Sequence, residues 1–80
     1  MARYHFHTED GRHHPDQDGL ELADVAAARV EAVKAIGQLI NEKPDEFWRD
    51  GLFRMTVTNA EGLTLFILDI SSIVSPAVRL

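Results

Sequence analysis

All four histidines of this 80-residue chain, His5, His7, His13 and His14, precede residue 15, and Asp16 and Asp18 follow directly. These are the side chains whose types could do chemistry. In an alternating run, His5 and His7 share one face, about 6.5–7 Å apart at the backbone. If His13 or His14, or Asp16 or Asp18, returned over that face, three donors of the kind zinc, copper or nickel take would meet. The spacing does not require this. There is no His-x-x-x-His pair, and the intervening loop carries Gly11 and Pro15, which give no reason for convergence. The reading favoured by the residues is the solvent side of an edge strand followed by a histidine-bearing loop. A metal site drawn from His5, His7, His13, His14 and Asp16 is one alternative. A pH-dependent contact is another, since imidazole changes charge near neutrality. No cofactor is called for.

Other reactive patterns fall short. Asp16-x-Asp18-Gly19 resembles part of a calcium loop, but the fit places His14 at the first ligand position and Val25 at the twelfth, where a bidentate glutamate is needed. Turn chemistry is the better reading. Ser71, Ser72 and Ser75 lie in a tail without a Gly-x-Ser-x-Gly elbow. Glu9 and Asp10 read as solvated carboxylates near a turn. There is no glycine-rich phosphate loop. The absence of cysteine excludes disulfides, a zinc–thiolate knuckle and a cysteine nucleophile together. The chain is not expected to be an enzyme.

The elements that must position these residues form one domain. A chain of this length buries only about 60–65% of its unfolded surface, so the core is small. Hydrophobic residues make up 45% and charged residues 26%, a globular composition. Eight basic against thirteen acidic residues give a net charge of −5. The basic residues are scattered, so nucleic-acid binding, which needs a phosphate-neutralising patch, is not expected. The amino terminus is polar where a signal peptide would be apolar, and no apolar run approaches the roughly 20 residues of a membrane span. The expectation is a cytoplasmic protein without a membrane association.

Residues 2–8 alternate, with Tyr4, Phe6 and Thr8 on the expected core side and Arg3, His5 and His7 opposite. Gly11, Pro15 and Asp18-Gly19 punctuate the next stretch, and Leu20-Glu21-Leu22 is expected to add a short second strand. Asp24 precedes an alanine-rich helical run as a natural N-cap. Val25, Arg29, Ala32, Val33, Ile36, Leu39 and Ile40 recur at steps of three and four and predict the buried stripe, with Ala27, Glu31, Lys34, Gln38 and Asn41 opposite. Pro44 ends this helix, expected over Val25–Lys43 and about 27 Å long. Residues 44–48 read as a helical turn or ordered loop. Two alternating runs, Leu52–Thr58 and Leu63–Ile70, flank Asn59-Ala60-Glu61-Gly62 and predict a hairpin. Pairing Thr58 with Leu63 puts Phe53, Met55, Val57, Thr64, Phe66, Leu68 and Ile70 inside, and Arg54, Thr56, Thr58, Leu63, Leu65, Ile67 and Asp69 outside.

The fold class expected is α+β, with a small antiparallel sheet of three or four strands in ββαββ order and one long helix on one face. Residues 1–72 form the domain and 73–80 a C-terminal tail, with Ile73 and Val74 apolar enough to dock. A single helix covers one sheet face and leaves the other bare. Leu63, Leu65 and Ile67, with Arg54 and Ile73 nearby, therefore predict a contact surface, for which a homodimer is the economical partner and another protein a further one; the alternative is that the tail around Ile73 and Val74 folds back and covers the patch within one chain. An adjacent strand edge would serve the same purpose. Phe47 and Trp48 are read as completing the core, with partner binding as the alternative.

Arg3-Tyr4-x-Phe6-His7, Asp18-Gly19-x-Glu21-Leu22, Asp24-x-x-Ala27-Ala28-x-x-Glu31-Ala32 and Val57-x-x-x-x-Gly62-x-x-Leu65, taken in order, resemble a family of small bacterial proteins. That family is a domain of unknown function common in rhizobia and related alphaproteobacteria. The resemblance spans residues 2 to 71. It implies a bacterial cytoplasmic protein of ββαββ order, and carries over no activity, cofactor or catalytic residue. Tyr4, Phe6 and His7 match its opening, whereas His5, His13 and His14 look like local variation. The layout is also similar to the sheet-and-helix domain of HicB-type antitoxins, which implies a toxin- or DNA-binding regulator as a further alternative. That similarity lies at the level of fold, which does not fix function.

Overall fold

A computed structural model describes residues 1–79; Leu80 lies outside the described residues. Seven elements follow one another: β1 (Ala2–Glu9), β2 (His13–His14), β3 (Leu20–Leu22), α1 (Val25–Glu42), α2 (Pro44–Asp50), β4 (Leu52–Thr58) and β5 (Thr64–Ser71). All strand pairs are antiparallel, in the order β2-β1-β4-β5, with β3 also paired to β1. The chain is thus α+β with the expected order, to which a two-residue strand and a second short helix are added. The five strands make a sheet only about four wide, because β2 and β3 pair with opposite ends of β1, at Thr8–Glu9 and Ala2–Tyr4.

The long helix starts where Asp24, in an extended conformation, accepts the Ala27 N–H at 2.9 Å through Oδ1. This satisfies one of the donors a helix leaves orphaned at its first turn. It ends at Lys43, whose conformation is restricted by the following proline. Pro44 then opens α2, where its missing N–H costs nothing, and Asp45 and Glu46 complement the positive end. Gly51 closes α2 in the left-handed conformation (φ 76°) and donates to the Phe47 carbonyl at 2.8 Å.

The core is Tyr4, Ala28, Ala32, Ile36, Phe53, Met55 and Val57. Every strand residue in it belongs to β1 or β4. The small Ala28 and Ala32 face the sheet, with Met55 and Val57 completely enclosed. The buried line of α1 is therefore Ala28, Ala32 and Ile36, flanked by half-buried Ala27, Glu31, Ala35 and Ile40. This corrects the predicted stripe: Val25, Arg29, Val33 and Leu39 are exposed. Periodicity weights residues by apolarity, whereas close helix–sheet approach favours the small side chains.

The hairpin register also differs from the even count. Thr58 pairs with Thr64, and Val57 pairs with Phe66, so Leu65 is an extra residue in an irregular ladder. Phe66, Leu68 and Ile70 lie on the inner side as expected, but Thr64 is exposed. Thr58 lies on the outer face as expected, yet is buried there beside His7. Asn59 Oδ1 accepts the Glu61 and Leu63 N–H groups at 3.0 and 2.9 Å and shapes the turn. Among the described residues, the tail does not fold back over the sheet: Ile73 is 94% exposed, and Val74 and Val78 are exposed too.

Candidate functional site

The histidines come together, though not around a point. His5 and His7 project from one face of β1 with rings stacked 6.1 Å apart, and His13 stacks on the other side of His7 at 6.4 Å. This ladder leaves His5 and His13 separated by an imidazole, too far apart to share an ion with bonds of about 2 Å. Both nitrogens of His7 are engaged. Its Nδ1 accepts the Asp16 N–H at 3.0 Å, so Nε2 carries the proton and donates to Thr58 Oγ1, also at 3.0 Å. His5 has the opposite tautomer, since its Nδ1 meets the Asp16 carbonyl at 2.9 Å and must donate. His13 and His14 stand at the exposed turn, within 3.4 Å of Glu9 and 3.3 Å of Asp10 respectively. Among the described residues, no three His, Asp or Glu side chains are placed to hold a metal ion.

Asp16 is the centre of this arrangement. Its Oδ2 accepts the Phe6 N–H at 3.1 Å, and its Oδ1 accepts Asp18 N–H at 3.2 Å and Gly19 N–H at 3.1 Å. Burial opposes its ionisation, but the donors from Gly19, Phe6 and Asp18, with His5 nearby, outweigh that and hold the carboxyl below its ordinary value. The turn reading of Asp16-x-Asp18-Gly19 thus agrees with the geometry, and the loop does more than turn. Residues 15–19 bridge from β2 to β3, and the Asp16 carboxylate supplies an acceptor to β1 where strand pairing lapses. Gly19 (φ 71°) packs so closely that a Cβ there would lie 2.9 Å from the Tyr4 carbonyl oxygen. The gap that β2 and β3 leave along β1 is thereby filled.

The other side is open. Among the described residues, no strand pairs with the outer edge of β5. Natural edges are blunted by lysine, proline, bulges or shortness. This edge runs for eight residues, Thr64-Leu65-Phe66-Ile67-Leu68-Asp69-Ile70-Ser71, with neither lysine nor proline; its one irregularity, the extra Leu65, lies at the hairpin end. Its single charge, Asp69, is held by a two-point pair with Arg54 across the strands, at 2.7 and 2.9 Å. That bond, with the guanidinium charge, keeps the Asp69 carboxyl below its ordinary value against a small desolvation effect.

Beside this edge, α1 sits over β1 and β4 and leaves the inner side of β5 half covered. The result is a groove of about 790 Å³ between Val30 and Val33 on the helix and Phe66 and Leu68 on the strand. Val33 is 59% exposed. Leu63 and Ile67 are also exposed, whereas Leu65 is half-buried and packs against the core. Arg54 is exposed and occupied by Asp69, and Ile73 lies in the tail beyond the sheet. Val30 and Val33 were not singled out from the sequence as contact residues. The available signal was that α1 carries apolar residues on two flanks, more than one small sheet can cover.

A second opening, about 520 Å³, lies between the β1–β2 turn and α2, bordered by Asp10, Arg12, His14 and Asp50. Its charges are of both signs, and Lys43, Glu46, Arg49 and Asp50 are already within 4.0 Å of one another in pairs. Phe47 packs on the core, while Trp48 is 61% exposed, so only the first of the two aromatics completes the interior.

These features define a small α+β domain with one sheet edge broken into two short strands around its own loop and the opposite edge long and, among the described residues, unpaired. Residues 3–71 match the family model of a domain of unknown function, DUF6894, and the chain belongs to that family. No curated protein and no solved structure matches the chain. Among the described residues, no helix is long and apolar enough to cross a membrane.

Proposed function

We propose that this is a non-enzymatic protein-interaction domain of a bacterial, cytoplasmic protein, and that its contact surface is the β5 edge together with the groove against α1. The observation that carries the reading is the largely apolar β5 edge, regular from Phe66 to Ser71 and without lysine or proline, beside a half-covered groove. Exposed strand edges offer a row of backbone donors and acceptors to an incoming chain, and the groove accommodates its side chains. The opposite edge is broken into the two-residue β2 and the three-residue β3 on either side of the Asp16 loop, each too short to offer such a row. The bacterial assignment rests on the resemblance to small alphaproteobacterial proteins in its opening, turn and helix residues. A metal-binding role draws little from a ladder in which both nitrogens of His7 are already bonded. An antitoxin-like role is one form the interaction could take, with its partner on the same surface.

The test is capture from the native cell at low expression, comparing the unmodified protein with Ile67→Lys and with Arg12→Gln at the far turn. An associated chain, whether another copy or a different protein, should be lost with Ile67→Lys and kept with Arg12→Gln. Association that is indifferent to Ile67→Lys would place the contact elsewhere and defeat the reading.

A further inference from the structure

We infer that the occupant of the β5 side is a second copy of this chain, joined by antiparallel β5–β5 pairing about a two-fold axis at Ile67; this rests on the interaction reading above. Identical antiparallel strands are related by a two-fold axis normal to the sheet, which sets one residue opposite itself and keeps each sheet face continuous. The groove selects that residue, because its strand wall is Phe66, Ile67 and Leu68, centred on Ile67. With the axis there, Phe66 faces the partner's Leu68 on the helix side and Ile67 faces its own counterpart on the other. Apolar cross-strand pairs of this kind are the unit of sheet stabilisation.

Charge permits this pairing. Each copy carries a net charge of −5, so a self-association surface must avoid placing like charges together. The only ionised group on the strand is Asp69, already matched by Arg54 of the same chain. On the groove, the apolar walls Val30 and Val33 of the two copies come to lie over one continuous floor. Lys34 at its rim is 3.9 Å from Glu31, and the Arg29 stem can carry its head to water. The opposite edge is divided between the two-residue β2 and the three-residue β3, whose shortness limits further pairing of this kind.

The chain has no cysteine, so introduced thiols report the register without interference. Opposed residues in an antiparallel pair have Cα atoms about 4.5–5.5 Å apart, within disulfide reach. Ile67→Cys should therefore oxidise to a covalent dimer. Leu65→Cys should not, because its counterpart would lie about 14 Å away along the strands. Sedimentation equilibrium should show a dimer for the unmodified chain. Ile67→Lys should weaken it about tenfold or more, by placing two charges in an apolar contact, with the circular-dichroism spectrum unchanged. A monomer at high micromolar concentration, a dimer insensitive to Ile67→Lys, or equal cross-linking of Leu65→Cys would each overturn the inference. If the purified chain is monomeric yet a different protein is captured in an Ile67-dependent way, self-pairing fails and the interaction reading survives. If neither occurs, both fail.

Discussion

The Asp16 carboxylate takes the place of a strand partner for Phe6, accepting its backbone N–H at 3.1 Å from a loop ten residues away in sequence. The same side chain holds the turn through Asp18 and Gly19. Asp16→Ala removes all three bonds and leaves the Phe6 donor without its acceptor in a half-buried site. Hydrogen bonds to charged groups contribute about 1.5–3 kcal/mol each when deleted singly, but these share one carboxylate and are partly hydrated, so a total loss of about 2 kcal/mol is expected. The midpoint of urea unfolding measures it. A change below about 0.5 kcal/mol would mean that the loop holds its place against β1 without the carboxylate.

Acid should act through the same residue. Because the Asp16 carboxyl is held below its ordinary value in the fold, its contribution is complete above the unfolded value of about 3.9 and is lost as pH falls through the lower folded one. Stability should therefore drop on acidification below about pH 4, and Asp16→Asn should flatten that part of the curve. Thermal unfolding of both proteins between mild and strong acid checks the sign. An identical acid limb would assign the loss to other carboxylates, with Asp69 the first to examine because it too is held low.

Gly19→Ala sets a different constraint against the same seam. The residue needs φ of 71°, and a methyl group would meet the Tyr4 carbonyl oxygen at 2.9 Å, an obstacle that belongs to the strand backbone. The conformational penalty and the clash together should cost about 1–3 kcal/mol. Equilibrium unfolding decides it, and a neutral substitution would show that the loop can lift off β1.

The stacked histidines predict opposite tautomers. A backbone N–H only donates and a carbonyl only accepts, so neutral His7 carries its proton on Nε2 and neutral His5 on Nδ1. Long-range nitrogen–proton correlations near neutral pH distinguish the two forms. Matching tautomers would rule out one of the two bonds to Asp16.

Strand alternation made β1, the hairpin and the inner faces of β4 and most of β5 legible in the sequence, because a period of two leaves little choice once Tyr4, Phe6, Met55 and Val57 are apolar. Asp24 and Pro44 bounded α1 for reasons local to the backbone. What could not be read was tertiary. The convergence of Asp16 on Phe6 depends on a loop without periodicity, and the extra residue at Leu65 depends on how the Asn59 turn closes. The histidines were visible as a cluster, but only the register of β1 with β2 and β4 stacks three of them and commits His7 to Thr58. The groove was hidden for a related reason: the sheet face is chosen by Ala28 and Ala32, so the larger valines turn aside.

That choice of face gives the most direct test of the helix. Ile36 is 2% exposed, inside the core with Met55 and Val57, whereas Val33 stands in the groove, one turn back along α1. In an Ile67→Lys background, which removes any contribution from β5 pairing, Ile36→Ala should cost about 2–4 kcal/mol through lost burial and the cavity left behind. Val33→Ala should change stability by less than about 0.5 kcal/mol, since its side chain is already largely in water. Denaturant unfolding of the two variants reads the comparison directly. Equal costs at the two positions would mean that α1 is rotated toward the stripe its apolar periodicity predicts, and that the groove beside β5 is filled by the helix itself.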